Sequence, residues 1–298
     1  MRLRSASTLA SYNLMNPIPQ PKAGYRPQAE DTSVEADVAY YYFLRQKPLT
    51  ERIKLTQNLM RMAKHLAIAS VQRQYPNDSI QAVQLRASHR ILADKYTSAF
   101  IPGGTLVEWQ QQDALTLTQR LHPQFEKLGI AYYLGGGLAA AIWGEPRVTQ
   151  DADIIVQFQS DQLDRLISTL EAEGFYCPPA DVEEVRLGVG KTISITHTQT
   201  LDNADLIAMS DEPFERSQMS RRMLIEDLGA PFWVCTAEDI ILQKLLWSQR
   251  SRSEQQWRQV LGILKAQATV LDYDYLSRWA DQIGQVERLT QAFLEAGI

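Results

Sequence analysis

The sequence predicts an α+β protein: a mixed β-sheet core flanked by helices, preceded by a helical module and followed by a helical subdomain. Three observations carry that prediction. Apolar residues recur at helical spacing near both ends, in TERIKLTQNLMRMAKHLAIASVQRQYP and from Thr236 onward. Between them lie short apolar runs, IAYYL, DADIIVQF, TISITHT and NADLIAM, which read as strands. A glycine-rich turn, GGGLAAAIWG, joins the first of these runs to the second.

The elements follow in order. Residues 1–34 are rich in Pro, Ser, Gln and Ala without periodicity, and read as a flexible tail. They start basic but lack the continuous apolar segment of a signal peptide. Residues 35–100 read as a basic helical module. Thr50 is a candidate N-cap, Leu55, Leu59, Met62 and Leu66 recur on one helix face, and Pro76 ends that helix. Asp78 or Ser79 then caps IQAVQLRASHRILADKY, and IPGG (101–104) reads as a linker. The core is expected over 105–230. It opens with a helical stretch at 107–128 that Pro123 should interrupt or kink. Ser160 caps DQLDRLISTLEAEG, whose Leu163, Leu166, Ile167 and Leu170 share a face. Residues 231–298 form the C-terminal helical subdomain.

Composition narrows the class. An apolar fraction of 45% supports a real core, and no uncharged apolar stretch is long enough to span a bilayer. The two cysteines, Cys177 and Cys235, stand at no metal or disulfide-framework spacing, which fits a cytoplasmic protein. Charge is uneven. Residues 36–100 hold ten Lys/Arg against four Asp/Glu, whereas 101–298 hold sixteen against twenty-eight. Such asymmetry suggests that the basic module docks in cis on the acidic core, or meets an acidic partner such as nucleic acid.

Three phosphate-site readings compete. GKT in RLGVGKTISI is the ending of a P-loop, but the required upstream glycine is Val185 and the motif runs into β-branched residues rather than a helix. Gly135, Gly137 and Ala140 fit a dinucleotide fingerprint. The helix that follows is short, however, and Asp151 and Asp153 precede their apolar run instead of following it. The third reading uses every part. Gly136 and Gly137 open a short helix whose free amides can face a triphosphate. Asp151 and Asp153, at i and i+2 of a strand, share one face with Cα atoms about 6.6 Å apart. Both can reach a hard-cation site, and Asp205 in NADLIAM is well placed to complete it. An all-aspartate set suits Mg²⁺, and two such ions about 3.5–4 Å apart would serve an in-line phosphoryl displacement.

Gly-Gly, a short helix and Asp-x-Asp together resemble the nucleotidyltransferase superfamily of DNA polymerase beta. GGLAAAIWGEPRVTQDADIIV is similar to its minimal and AbiE-toxin-like bacterial branches, and the likeness runs through NADLI, AEDIILQKLLW, QQWRQVLGILKAQ and LDYDYLSRWA, over roughly residues 107–290. The resemblance implies a nucleotidyltransferase-type sheet core. It implies transfer of NMP from an NTP to an acceptor hydroxyl with release of pyrophosphate, in a setting that includes toxin–antitoxin pairs. By it, Gly136, Gly137, Arg147, Thr149 and Lys244 hold the nucleotide, Asp151 and Asp153 bind both metals, and Asp205 binds the catalytic one and helps activate the acceptor. The acceptor stays open between a tRNA, a protein and a small molecule. The chain departs from its relatives at Gln259, where Trp-Arg-Asp is common, and at Asn203 and Ala204, where a lysine or valine is. An amide cannot take a proton as a carboxylate does, so Gln259 raises a rival reading: a weakened relative that binds nucleotide or a partner without turnover.

Overall fold

The computed structural model describes residues 18–99, 101–251 and 253–298, so the tail reading over 1–17 lies outside the described residues. The chain opens with α1 (Val34–Arg45), α2 (Leu49–Gln74) and α3 (Ile80–Leu92). Ser33 and Ser79 cap α1 and α3, accepting from the amides of Ala36 and Ala82. Pro48 takes the cap position of α2, so Thr50 lies inside its first turn.

The buried stripe of α2 differs from the expected one. Ile53, Met60, Ile68 and Val71 face inward, while Leu55, Met62 and Leu66 are exposed. Apolar residues surround much of this helix, and docking against its neighbours, not periodicity, selects the face. Nor does the module close a core of its own. Ile53 and Met60 join the main core, and Ile68 and Val71 pack with Leu106, Trp109 and Leu201 of the body.

Two segments read as tail and linker are tied down. Within 18–33, Tyr25 donates to Asp37 (2.5 Å), Gln28 to the Tyr41 hydroxyl (2.7 Å), and Arg26 pairs with Glu254 (2.6 Å). In IPGG, the Gly103 amide donates to Thr198 O, and the Trp109 indole donates to the carbonyls of Gly103 and Gln199. Such polar anchoring is aperiodic, so hydrophobic patterning cannot reveal it.

The expected 107–128 helix is divided into α4 (Leu106–Gln111) and α5 (Ala114–Leu128). The break falls at Asp113, whose carboxylate accepts from the amides of Leu115 and Thr116 while pairing with Arg61. Pro123 stays inside α5.

The sheet then builds from β1 (Ala131–Leu134), α6 (Gly136–Trp143), β2 (Asp151–Gln157), α7 (Leu163–Ala172), β3 (Phe175–Tyr176), α8 (Pro179–Arg186), β4 (Thr192–His197), β5 (Asn203–Ala208), α9 (Pro213–Arg221), β6 (Met223–Ile225) and β7 (Phe232–Val234). A 3-10 turn at Ser160–Gln162 precedes α7, with the Gln159 amide donating to Gln162. The strand order is β3-β4-β5-β2-β1-β7-β6. The pairs β2/β5 and β1/β7 are parallel, and the others antiparallel. β3, β6 and β7, only two or three residues each, are too short for a period-2 signal.

Helix α5 packs against β1, β2, β5 and β7. Helix α6 packs on β2 and is surrounded by α2, α10 (Ala237–Ser251) and α11 (Glu254–Gln267). Helices α12 (Tyr273–Gln282) and α13 (Val286–Ala296) complete the C-terminal bundle. The architecture is therefore α+β, a mixed sheet carrying helices. Among the described residues, no helix is long and apolar enough to cross a membrane. The GKT triplet enters β4 at Thr192 and opens no helix.

His197 is structural. It is buried, its Nε2 facing an Arg120 donor at 2.7 Å and its Nδ1 the Thr200 hydroxyl at 2.9 Å. Burial, with the Arg120 charge beside it, pushes its pKa down to about 4.

Candidate active site

The glycine turn is shaped by a carboxylate. At Gly136 φ is +56°, the left-handed region that favours glycine, and a Cβ there would lie 1.7 Å from Asp153 Oδ2 and 2.5 Å from its Cβ. The Gly135 amide donates to the Asp153 carbonyl (2.8 Å), and the Gly137 amide to the Asp153 carboxylate (3.0 Å). Asp153 thus lies against the first turn of α6, where the helix dipole favours negative charge. Replacing Gly136 by Ala is expected to lower stability by about 2–5 kcal/mol, from backbone strain plus overpacking. Urea unfolding measures it, and a loss under about 1 kcal/mol would mean that Asp153 swings aside freely.

Strand register then gathers the acids. On β2, Ala152, Ile154 and Val156 are buried in the core, so Asp151 and Asp153 project from the opposite face. Across the parallel ladder, Asp153 is the Cα partner of Asp205 and Asp151 that of Asn203, which puts Asp205 on the same face as the pair. One strand further, Ser194 is the partner of Asp205 and donates its hydroxyl to Asp205 Oδ1 at 2.7 Å. Burial, followed by the neighbouring charges of Asp153 and Asp205, pushes the Asp151 carboxyl above the usual carboxylate range.

The remaining residues frame this cluster. Lys244, on α10, is almost wholly buried, not a surface lysine reaching outward. Burial pushes its pKa down to about 8, opposed by the charges of Asp153 and Asp151. Thr149 donates to the Asp151 carbonyl (3.3 Å), and Thr149 Oγ1 and the Arg147 guanidinium both border Gly137. Arg147 Nε is buried and finds no partner among the described residues. Gln259, also buried and with Oε1 unpartnered, lines a cavity of about 260 Å³ with Glu145, Arg147 and Arg258. None of Asp151, Asp153 and Asp205 lines that cavity.

Sequence reasoning missed Lys95. Its ammonium, at the end of the 3-10 turn Ala93–Lys95, donates to both Asp205 oxygens (2.7 and 2.9 Å) and to Ser194 Oγ (3.3 Å). The contact spans 110 positions and leaves no local signal. Ser194 was findable, since it alternates with the buried Ile193 and Ile195 of TISITHT. Arg221 and Arg222 stack on Tyr275 and Trp233, and Arg221 also pairs with Glu238.

The donor chemistry fits a hard divalent cation: carboxylate oxygens on one face, beside a glycine whose missing Cβ makes room. Among the described residues, however, no group of three or more His, Cys, Asp and Glu is arranged to hold a metal ion as it stands; Asp205 is paired with Lys95, and Asp153 accepts from the Gly137 amide.

No family model matches this chain, and no curated protein does. Among solved structures it is similar to an antigenic nucleotidyltransferase-like protein from Paracoccidioides brasiliensis, with 18% identity and a TM-score of 0.42 over 61% of this chain and 92% of that one. It is also similar to the antibiotic-resistance factor ANT(2'')-Ia, with 13% identity and a TM-score of 0.36 over 60% of this chain and 98% of that one. Both scores are low, and the chemistry rests on the site's own geometry.

Proposed function

We propose that this chain transfers a nucleotidyl group from an NTP to an acceptor hydroxyl, with Mg²⁺, releasing pyrophosphate. The observation that carries this reading is the register that sets Asp205 beside Asp153, so that three carboxylates share a face next to a diglycine helix start. Mg²⁺ held by Asp151, Asp153 and Asp205 would polarise the attacking and leaving oxygens. The chain's own groups do the rest. The Gly136 start of α6, with Arg147, Thr149 and the buried Lys244, neutralises and orients the triphosphate, while the Gly137 amide, which donates to the Asp153 carboxylate, positions that ligand beside it. The acceptor oxygen bonds to the α-phosphorus, the bond to the β-phosphate bridging oxygen breaks, and the hydroxyl proton passes to the Asp205 carboxylate. The sequence likeness to toxin-like relatives makes growth arrest on expression the cellular counterpart of this chemistry.

The test is incubation of the full chain with labelled NTPs, Mg²⁺ and cell extract. Label on a macromolecule or small acceptor supports the reading. No transfer, together with no metal-dependent NTP binding, overturns it.

A second reading is favoured by Gln259, whose buried oxygen lacks a partner among the described residues and which stands where the resemblance implies a carboxylate. In that reading the protein binds nucleotide without turnover and acts through a partner. Binding that persists without transfer, even in Gln259→Asp, supports it; a gain of transfer in that variant identifies a weakened enzyme instead.

A further inference from the structure

We propose that Lys95 is a tethered cation that closes the carboxylate site, and that a divalent cation must displace it from Asp205 before the site is competent. This rests on the metal–nucleotide reading above and adds its regulation. The ammonium donates to both oxygens of Asp205, and Ser194 takes a further lone pair of Oδ1. These contacts take three of the four lone-pair sites of the carboxylate, and a hard cation at the remaining Oδ2 site would face the Lys95 ammonium on the same oxygen. Lys95 and metal therefore compete for Asp205.

The plug is built to be reversible. The ion pair is partly open to water, with side-chain exposures of 28% and 19%, so solvent screens it in part. It sits at the end of α3 on a short turn entered through Ala93, a non-glycine residue at φ +48°. Backbone held in so sparsely populated a region is a place where strain is stored and released. Below the turn, the Tyr96 ring stacks on His89 at 3.6 Å, which keeps its base on α3. Two further pairs, Lys64–Asp202 and Arg61–Asp113, hold α2 to the body. The turn can let go while the helices stay. In the closed state Lys95 also offsets the mutual repulsion of Asp151, Asp153 and Asp205.

Competition of this kind lowers apparent affinity by the fraction of molecules already open. Mn²⁺ titration by calorimetry on the full chain reads it directly, with no turnover required. Lys95→Met is expected to bind Mn²⁺ about tenfold more tightly than wild type, and Lys95→Arg to stay near wild type. Wild-type binding that Lys95→Met leaves equal or weakens overturns the plug alone. No Mn²⁺ binding by either protein overturns the metal reading and the plug with it. Limited trypsin digestion of the wild-type chain gives a measurement free of any variant. Mn²⁺ should speed cleavage after Lys95, with protease activity matched on a control peptide. Mn²⁺ binding with unchanged cleavage shows that Lys95 stays in place, and sinks the proposal.

Discussion

Asp151→Asn is expected to abolish nucleotidyl transfer and at the same time stabilise the metal-free protein. The activity loss should be on the order of 10³-fold, about 4 kcal/mol of transition-state stabilisation, because one of the three carboxylates that would hold the metal is gone. The stability change has the opposite sign because partial burial, followed by the charges of Asp153 and Asp205, holds the Asp151 carboxyl above the usual range. A group whose folded pKa is raised binds its proton more tightly folded than unfolded. Stability therefore falls as pH rises from the ordinary aspartate value through the folded one, and the penalty is complete above it. The neutral amide escapes that penalty, for a gain of about 0.5–1 kcal/mol at pH 7 that vanishes in acid. Transfer activity and urea midpoints at pH 7 and pH 3.5 measure both halves. A destabilised Asp151→Asn at pH 7 would show that the carboxylate serves the fold, and would count against a functional cluster.

Lys265→Met should cost about 3–5 kcal/mol, the largest single stability effect expected here. The Lys265 side chain is fully buried, yet charged groups surround it: its ammonium pairs with Asp37 (2.7 Å) and donates to Arg26 O (2.5 Å), facing the rings of Tyr25 and Tyr41. Its removal leaves the Asp37 carboxylate buried with hydrogen bonds from Tyr25 and Gln28 but no countercharge. The strap over residues 22–31 loses its central anchor, so protease cleavage there should rise along with the drop in urea midpoint. Adding Asp37→Asn should recover much of the loss, since the uncompensated charge is then gone. A cost below about 1 kcal/mol for the single variant would mean that water reaches Asp37.

Much of the candidate site is legible in the sequence. The diglycine, the carboxylates at i and i+2, and the apolar runs behind them are features of neighbouring residues, governed by turn chemistry and the period of two. The placement of Asp205 was readable only in part. NADLIA advertises a strand with Asp205 on the face away from Ala204 and Leu206, but nothing in it says which strand lies alongside. Parallel pairing of β2 with β5 makes the two aspartates partners across fifty-two positions. The misjudged elements share one cause. The exposed Leu55, Met62 and Leu66, the anchored strap and the pinned IPGG segment all depend on what lies opposite them in space.

By itself the sequence determined that helices enclose a sheet, and that two acids stand on one strand face beside a turn only glycine can make. Tertiary structure decided that β2 pairs with β5 and so sets Asp205 beside Asp153, that Lys244 is buried, and that Lys95 arrives from the N-terminal helices to hold Asp205. The physical reason is range. Backbone periodicity and steric permission are set within a few residues, whereas a charge–charge contact depends only on distance in space and leaves no trace along the chain.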